Sequence, residues 1–420
     1  MPTPAPDATT RPAPTADPAD PAADVSAARP ARTPRPAVLL SVIALCTAVT
    51  AANIYLAAPL LSLIAEDFGA TPSAAGWIAS IAQLGYAIGL LVFAPLGDTA
   101  DRRRLVGALS TVAGVALVAA AFAPGLPALA AAVLVACAAT VVPQLLVPLV
   151  AERAPADRRG RHVAAVVSGL FTGIVAARVL GSLAGQAYGW RAVFLGGAAL
   201  TVAVGLLTAV MLPAETRPRG RSNPLRNIAG LPKLLASSAD LRAACLRQGG
   251  LFGAWSALWT TLALLLTADA PFHLSTGTAG LFGLFGLVST AVAPISGGLI
   301  DRFGAHRVVT SGYVLAAASL PLFWLGGRQL WALCAGAVLI HAGLMAAQVA
   351  NQTRALGATS KPAAANTAYV VAAFFGGSIA SALAGPAFDH WGWNGVCAIA
   401  AAWTVIGWVG GALGGRTARA

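Results

Sequence analysis

Charge is what this chain has least of. Of 420 residues only 10% are Asp, Glu, Lys or Arg, against roughly 25% in ordinary soluble domains. Acids are the scarcest, with Asp and Glu together numbering 15. A soluble chain that is 57% apolar would lack the polar surface to cover its core, so the surplus apolar area must face lipid. Cysteine is sparse as well: Cys46, Cys137, Cys245, Cys334 and Cys397 stand singly inside apolar runs. That spacing excludes a zinc site or a redox pair and leaves small packing residues. No Gly-x-x-x-x-Gly-Lys-Ser/Thr loop occurs, and no His/Asp/Glu cluster has catalytic or metal-site spacing. ATP use and metal-dependent catalysis are therefore not expected. No catalytic residue, metal or cofactor is assigned.

What is present is a series of apolar runs, twelve between residues 38 and 414, each near the ~20 residues that cross a bilayer as a helix. Pro124-Gly125-Leu126-Pro127 and Gly326-Gly327-Arg328 leave room only for tight hairpins. The expected fold class is an all-α membrane protein of twelve transmembrane helices. The net charge of +12 is not a nucleic-acid stripe, because the basic residues form short clusters between apolar runs, such as Arg102-Arg103-Arg104. All 27 Lys and Arg except Arg178, Arg191, Arg247 and Arg328 fall in the tails or in even-numbered connections. The positive-inside rule makes that side cytoplasmic, with both termini there, in a plasma membrane. Glu66, Asp67, Asp269 and Asp389 lie on the opposite side.

The spans divide into residues 37–212 and 241–415. They are joined by a basic linker at 213–240 and preceded by a tail at 1–36. The tail, rich in Pro, Ala, Asp, Thr and Arg, reads as disordered. It lacks a signal-peptide core, and its four aspartates argue against a transit peptide.

The halves repeat. Gly97-x-x-x-Asp101-Arg102 recurs as Gly297-x-x-x-Asp301-Arg302, Gly189-Trp190 as Gly392-Trp393, and Gln144 as Gln348, at offsets of 200, 203 and 204. Six helices repeated in parallel give two six-helix bundles related by a pseudo-two-fold along the membrane normal. The connection Gly97-Asp98-Thr99-Ala100-Asp101-Arg102-Arg103-Arg104 resembles the signature loop of the major facilitator superfamily, Gly-x-x-x-Asp-Arg/Lys-x-Gly-Arg/Lys-Arg/Lys. The second copy, Gly297 to Arg307, keeps the second glycine as Gly304; the first has Arg104 there. Gly173, Gly181 and Gly185, followed by Gly189-Trp190-Arg191, are similar to the glycine-rich fifth helix of the drug and sugar efflux branch. The Gly-Pro pair of the full antiporter motif and the branch's helix-four arginine are absent. The resemblance implies a secondary transporter exporting a small amphipathic compound or sugar, by proton antiport.

Residues expected to form a cytoplasmic gate are Gly97, Asp98, Asp101, Arg102, Gly297, Asp301 and Arg302. A carboxylate at this helix end can pair with Arg102 and with helix ends across the bundles; the bland alternative is charges that only set topology. Glycine pairs such as Gly85/Gly89, Gly169/Gly173 and Gly376/Gly377 read as close-packing faces. Polar residues inside apolar helices mark function. Asn53, Tyr55, Gln83, Gln144, Arg178, Trp255, Trp259, His341, Gln348, Asn366 and Tyr369 are the candidates for a central cavity. Arg178 has no acid at its depth and reads as facing water or an anionic or polar group. Trp255 and Trp259, one helical turn apart, suit an aromatic wall or a lipid-facing position. Proton-coupling candidates are His341, Glu66, Asp67, Asp98 and Asp101, since no acid falls at mid-membrane. His341 equally suits neutral packing. The expected partners are a small-molecule substrate, protons and the bilayer, with a single chain sufficient. A sugar or organic-anion symporter or uniporter, and a non-transporting sensor, are the rival readings.

Overall fold

In the computed structural model, residues 36–155, 158–213 and 224–416 are described. Residues 1–35 of the expected tail and 214–223 of the linker lie outside that set. Among the described residues there are helices and no strands. In hydrocarbon every backbone N–H and C=O must find its partner within the segment, and long apolar helices do this.

The spans are α1 (Pro36–Tyr55), α2 (Pro72–Phe93), α3 (Arg102–Ala121), α4 (Leu126–Arg153), α5 (Arg159–Tyr188) and α6 (Trp190–Met211), followed by α7 (Ala239–Thr267), α8 (Thr276–Phe303), α9 (Ala305–Gly326) and α10 (Leu330–Gly357). A run from Pro362 to Arg416 holds the last two, α11 (residues 362–391) and α12 (residues 393–416), divided at Gly392.

The repeated Gly-Trp dipeptides explain themselves here. Gly189 has φ 79°, ψ 158°, and Gly392 has φ 60°, ψ −152°. Both lie in a region essentially reserved for glycine. Each breaks the chain between two helices that would otherwise run on, and the following Trp190 and Trp393 are buried.

Three spans are less uniform than the apolar pattern suggests. The run expected at 38–64 stops at Tyr55. It resumes through a 3₁₀ turn at Ala58–Leu60 into a short helix, Leu61–Asp67, because Pro59 cannot continue the hydrogen-bond ladder. Helix α4 breaks between Ala139 and Val142, just before Pro143, and α8 passes through a 3₁₀ turn at Leu281–Phe285. In the linker, residues 224–237 form a helix touching α2 and the turn after it on one side, and α7 and the α11–α12 run on the other.

Helices α1–α6 pack mainly on one another, as do α7–α12. The glycines set the spacing within each bundle. A Cβ on Gly89 would strike the backbone of Ala138, one on Gly173 that of Ala48, and one on Gly376 that of Gly249. Glycine is the only residue that permits these approaches.

Between the bundles, α2 lies against α11 and α5 against α8. The face where α1 begins and α2 ends is called the basic face below, and its opposite the far face. Four hydrogen bonds between described residues join the bundles, and they lie toward the far half of the helices. They run from Gln83 Nε2 to Ser381 Oγ (3.1 Å), Ser256 Oγ to Gln83 Oε1 (2.8 Å), Ser378 Oγ to Ser80 O (2.8 Å), and the Gly277 N–H to Gln186 Oε1 (2.7 Å). Down α8, Gly280 and Gly283 press on Ser182 and Arg178. Nearer the basic face, Gly297 and Gly298 meet nothing within 4 Å where a side chain would stand. The hydrogen bonds between the bundles thus gather toward the far face.

Candidate functional site

Five of the eleven cavity candidates converge. Arg178 of α5 is 5% exposed, with its guanidinium carbon 4.9 Å from the Tyr55 ring centre, 4.8 Å from Trp255 and 5.9 Å from Trp259. Desolvated cation–π contacts of this kind are worth ~2 kcal/mol or more. Trp255 and Trp259 stack at 5.8 Å with 12° between planes, as their spacing of four on α7 allows. His341 of α10 sets its edge against Trp259 at 4.4 Å. By helical rise, Arg178, Trp255, Trp259 and His341 sit about 12–18 Å in from the far ends of their helices. The first bundle supplies Arg178 and Tyr55, the second the rest.

His341 has both ring nitrogens engaged. Nδ1 lies 2.8 Å from Ala337 O, which can only accept, so Nδ1 carries the hydrogen. Nε2 accepts from Trp255 Nε1 at 3.3 Å. The ring is thereby a neutral tautomer, and a second proton would cost the bond from Trp255. Arg178 Nε, by contrast, is buried with no partner. Next to it, toward the far face, a cavity of about 30 Å³ is lined by Pro59, Arg178, Trp259, Leu262 and Phe282. That is one water's share of volume, too little for a substrate.

Gln83 joins this cluster through the seam described above, where the Thr260 and Ser381 hydroxyls also lie 2.9 Å apart. Gln144 sits below it: its Nε2 donates to Tyr86 Oη (3.3 Å), and the Tyr86 ring packs tilted at 54° against Phe374, ring centres 4.5 Å apart, across the bundle boundary. The other candidates lie elsewhere. Asn53 turns into the first bundle and donates to Thr140 (3.1 Å) and Thr201 (2.9 Å). Gln348 accepts from Gln248 (3.2 Å), whose Oε1 lies 2.7 Å from the Tyr369 hydroxyl, all inside the second bundle. Asn366 accepts from Gln352 (2.8 Å) near the basic face.

The two signature loops differ. In the first, Asp101 caps α3 by accepting from the Arg103 N–H at 2.9 Å. Arg102 is buried, donates to Gly97 O (3.0 Å) and grips Glu152 at the end of α4 with both terminal nitrogens (2.7 and 2.9 Å). This clasp stays within one bundle. The Asp98 side chain lies outside the described residues. In the second loop, Asp301 and Arg302 are exposed in the last turn of α8, with Arg302 over its neighbour Phe303 at 5.1 Å. At the far face, Asp67 pairs with Arg191 (2.5 Å) and Glu66 is exposed.

Sequence reasoning missed Glu152, the serines Ser256 and Ser381, and Arg247. Glu152 ends a helix, as many surface acids do, and nothing nearby in the sequence marks its partner 50 residues away. Ser256 and Ser381 read as small residues. Arg247 is a buried arginine of α7 whose Nε and Nη1 lack partners; its place inside an apolar run was the available signal.

Residues 43–268 match the family model described as Major Facilitator Superfamily. The chain belongs to that superfamily. It is a multi-pass membrane transporter of a small-molecule substrate. It is 63% identical over 407 residues to "Probable transporter SCO4007" of Streptomyces coelicolor, covering 96% of this chain and 93% of that one. It is 32% identical over 310 residues to the "Chloramphenicol resistance protein" of Streptomyces lividans, covering 70% and 74%. Among solved structures, the nucleoside transporter NupG superposes with a TM-score of 0.73 at 14% identity, over 90% of this facilitator and 99% of NupG. At that identity the likeness is one of fold.

Proposed function

We propose that this facilitator exports a small amphipathic compound or sugar across a bacterial plasma membrane by alternating access, in exchange for protons. The observation that carries the reading is the Arg178, Tyr55, Trp255, Trp259 and His341 cluster. Both bundles contribute to it near mid-membrane. The basic face is taken as cytoplasmic by the positive-inside rule, with both termini inside. The contacts between the bundles on the far side are then the ones that must open to the outside. Residues 37–212 and 241–415 are the proposed moving bodies, with 213–240 between them, and one chain suffices. Likeness to the chloramphenicol resistance protein of Streptomyces lividans is in keeping with export of a small compound.

For coupling, His341 is the proposed carrier. Opening the far face would pull Arg178 away from Trp255, and a turn of the released Trp255 ring that ended its bond to His341 would free Nε2 for a proton. Glu66, Asp67, Asp98 and Asp101 lie at helix ends and are the alternatives. The signature loops, from Gly97 to Arg102 and Gly297 to Arg302, are the proposed gate on the basic side. Arg102 would exchange its clasp on Glu152 for a contact across the bundles when that side closes. The rival reading, uptake of a sugar or organic anion, is favoured by the unpaired Arg178 Nε.

Everted membrane vesicles with an imposed pH gradient and a panel of drugs, sugars and organic anions test the reading. Collapse of the gradient on adding substrate, lost in His341→Ala, is the expected result. A cysteine pair tests the motion. A Cβ at Gly76 of α2 would stand 3.9 Å from the Gly385 Cα of α11. Oxidising Gly76→Cys/Gly385→Cys should stop transport, and reduction should restore it. Undiminished transport by the cross-linked protein would rule out opening of the far face.

A further inference from the structure

We infer that the substrate is an organic anion, a carboxylate on an aromatic or apolar body, and that Arg178 receives the carboxylate. The inference rests on the reading of the Arg178 cluster as the transport site, and not on the direction of transport.

Three observations combine. First, Arg178 is held by rings rather than by acids. Tyr55, Trp255 and Trp259 lie at cation–π distance from its guanidinium, and among the described residues no carboxylate pairs with it. The sequence places every acid in a tail, a loop or a helix end, so no acid is at hand to neutralise it. Second, Nε is buried without an acceptor. A guanidinium donates in its own plane, so rings that hold it by cation–π attraction leave those donors to be met by something else. A carboxylate fits that fork with two parallel hydrogen bonds. Third, the remaining polar groups of the seam, Gln83, Ser256, Thr260 and Ser381, are neutral. The rings that would attract a cation are already taken by Arg178, and a second cation would meet its unscreened like charge in a medium of low dielectric. An anion would be drawn to the same charge, and an aromatic body would find Trp255 and Trp259 as its wall.

Arg178 belongs to one bundle and its tryptophans to the other, so an anion taken in between them would compete with the contact that holds the far face shut. Substrate binding and release of that contact are then the same event.

The test uses purified full-length protein and a matched set of probes, 4-phenylbutyrate, 4-phenylbutyramide and 4-phenylbutylamine, with homologues of longer and shorter spacer. Binding is read from tryptophan fluorescence, and flux from counterflow in proteoliposomes. The expected result is carboxylate binding ~10-fold or more tighter than the amide, whose single uncharged acceptor oxygen cannot match the guanidinium fork, and no binding of the amine, whose ammonium accepts nothing and repels Arg178. In Arg178→Gln the preference for carboxylate over amide should fall to within about 2-fold, and Arg178→Lys should keep part of it. Melting followed with a thiol-reactive dye, reading the buried cysteines, checks that each variant is folded. Equal binding of carboxylate and amide, preference for the amine, an unchanged preference in folded Arg178→Gln, or no carboxylate bound at all would each overturn the inference. Flux of amide or amine without carboxylate would sink it while leaving transport intact. Arg178-dependent carboxylate binding without flux would do the reverse.

Discussion

The two signature loops share the pattern Gly-x-x-x-Asp-Arg at an offset of 200 residues, yet fold differently. In the first, the helix tightens into a 3₁₀ turn at Pro95–Asp98 and ends, and Asp101 starts the next helix as its cap. In the second, α8 continues through Asp301 and Arg302 and breaks only at Gly304, with φ 83° and ψ 148°. The position of Gly304 is held by Arg104 in the first copy. An arginine resists that backbone geometry, so the first turn is made earlier, by proline and a capping carboxylate. The same Asp-Arg pair therefore begins a helix in one half and ends one in the other. Only the first arginine is buried and clasped. A motif fixes which residue types reach a place, and the local turn decides what they can touch.

That difference can be tested by substitution, beginning with the arginines. Arg102→Ala removes the clasp on Glu152 and Gly97 O and leaves a void; a loss of about 2–3 kcal/mol and at least ~10-fold in transport is expected, whereas Arg302→Ala, which breaks no such clasp, should cost less than ~0.5 kcal/mol and have the smaller effect on transport. Vesicle transport and thermal melting of the two variants, side by side, measure it. Equal effects would mean the copies are equivalent after all. Next, Gly304→Ala places a side chain at φ 83° and should cost about 1–3 kcal/mol, while Arg104→Ala in the first copy should be nearly silent. A melting shift confined to Gly304→Ala is the expected outcome.

Smaller effects sharpen the same contrast. Glu152→Gln keeps the shape of the Arg102 clasp but removes its charge. Because the Glu152 side chain is 57% exposed, solvent screening limits the loss to about 1 kcal/mol. Asp101→Ala removes a helix cap and should cost about 1 kcal/mol, against less than ~0.5 kcal/mol for Asp301→Ala, which caps nothing. Thermal melting in high and low salt separates these two. The Glu152→Gln effect should shrink as ionic strength rises, and the Asp101→Ala effect should persist.

The cavity candidates were legible to unequal degrees, and the reason is consistent. Arg178, Trp255, Trp259, His341 and Tyr55 are bulky and unusual inside apolar helices. Burying a charge or a large ring there requires a specific partner, so their presence already pointed to one another. Asn53 looks the same in sequence, but a small amide can be satisfied by two threonines of its own bundle, and it is. Gln348 and Tyr369 likewise find Gln248 within theirs. Glu152 stayed hidden because a terminal acid has a solvated alternative, and only folding brings Arg102 to it.

By itself the sequence determined that the chain spans a membrane, because its shortage of charge leaves no other solvent for so much apolar surface. It also determined the number of spans, the two-fold repeat and the family, since apolar length, glycine turns and the repeated loop are local properties. Tertiary structure alone decided which polar residues meet. It turned Asn53 inward, set Arg102 on Glu152, and brought Arg178 from one bundle and His341 from the other to the same two tryptophans. Periodicity tells which way a side chain leaves its helix, but whether another helix, a cavity or lipid stands there depends on packing between segments far apart in the chain.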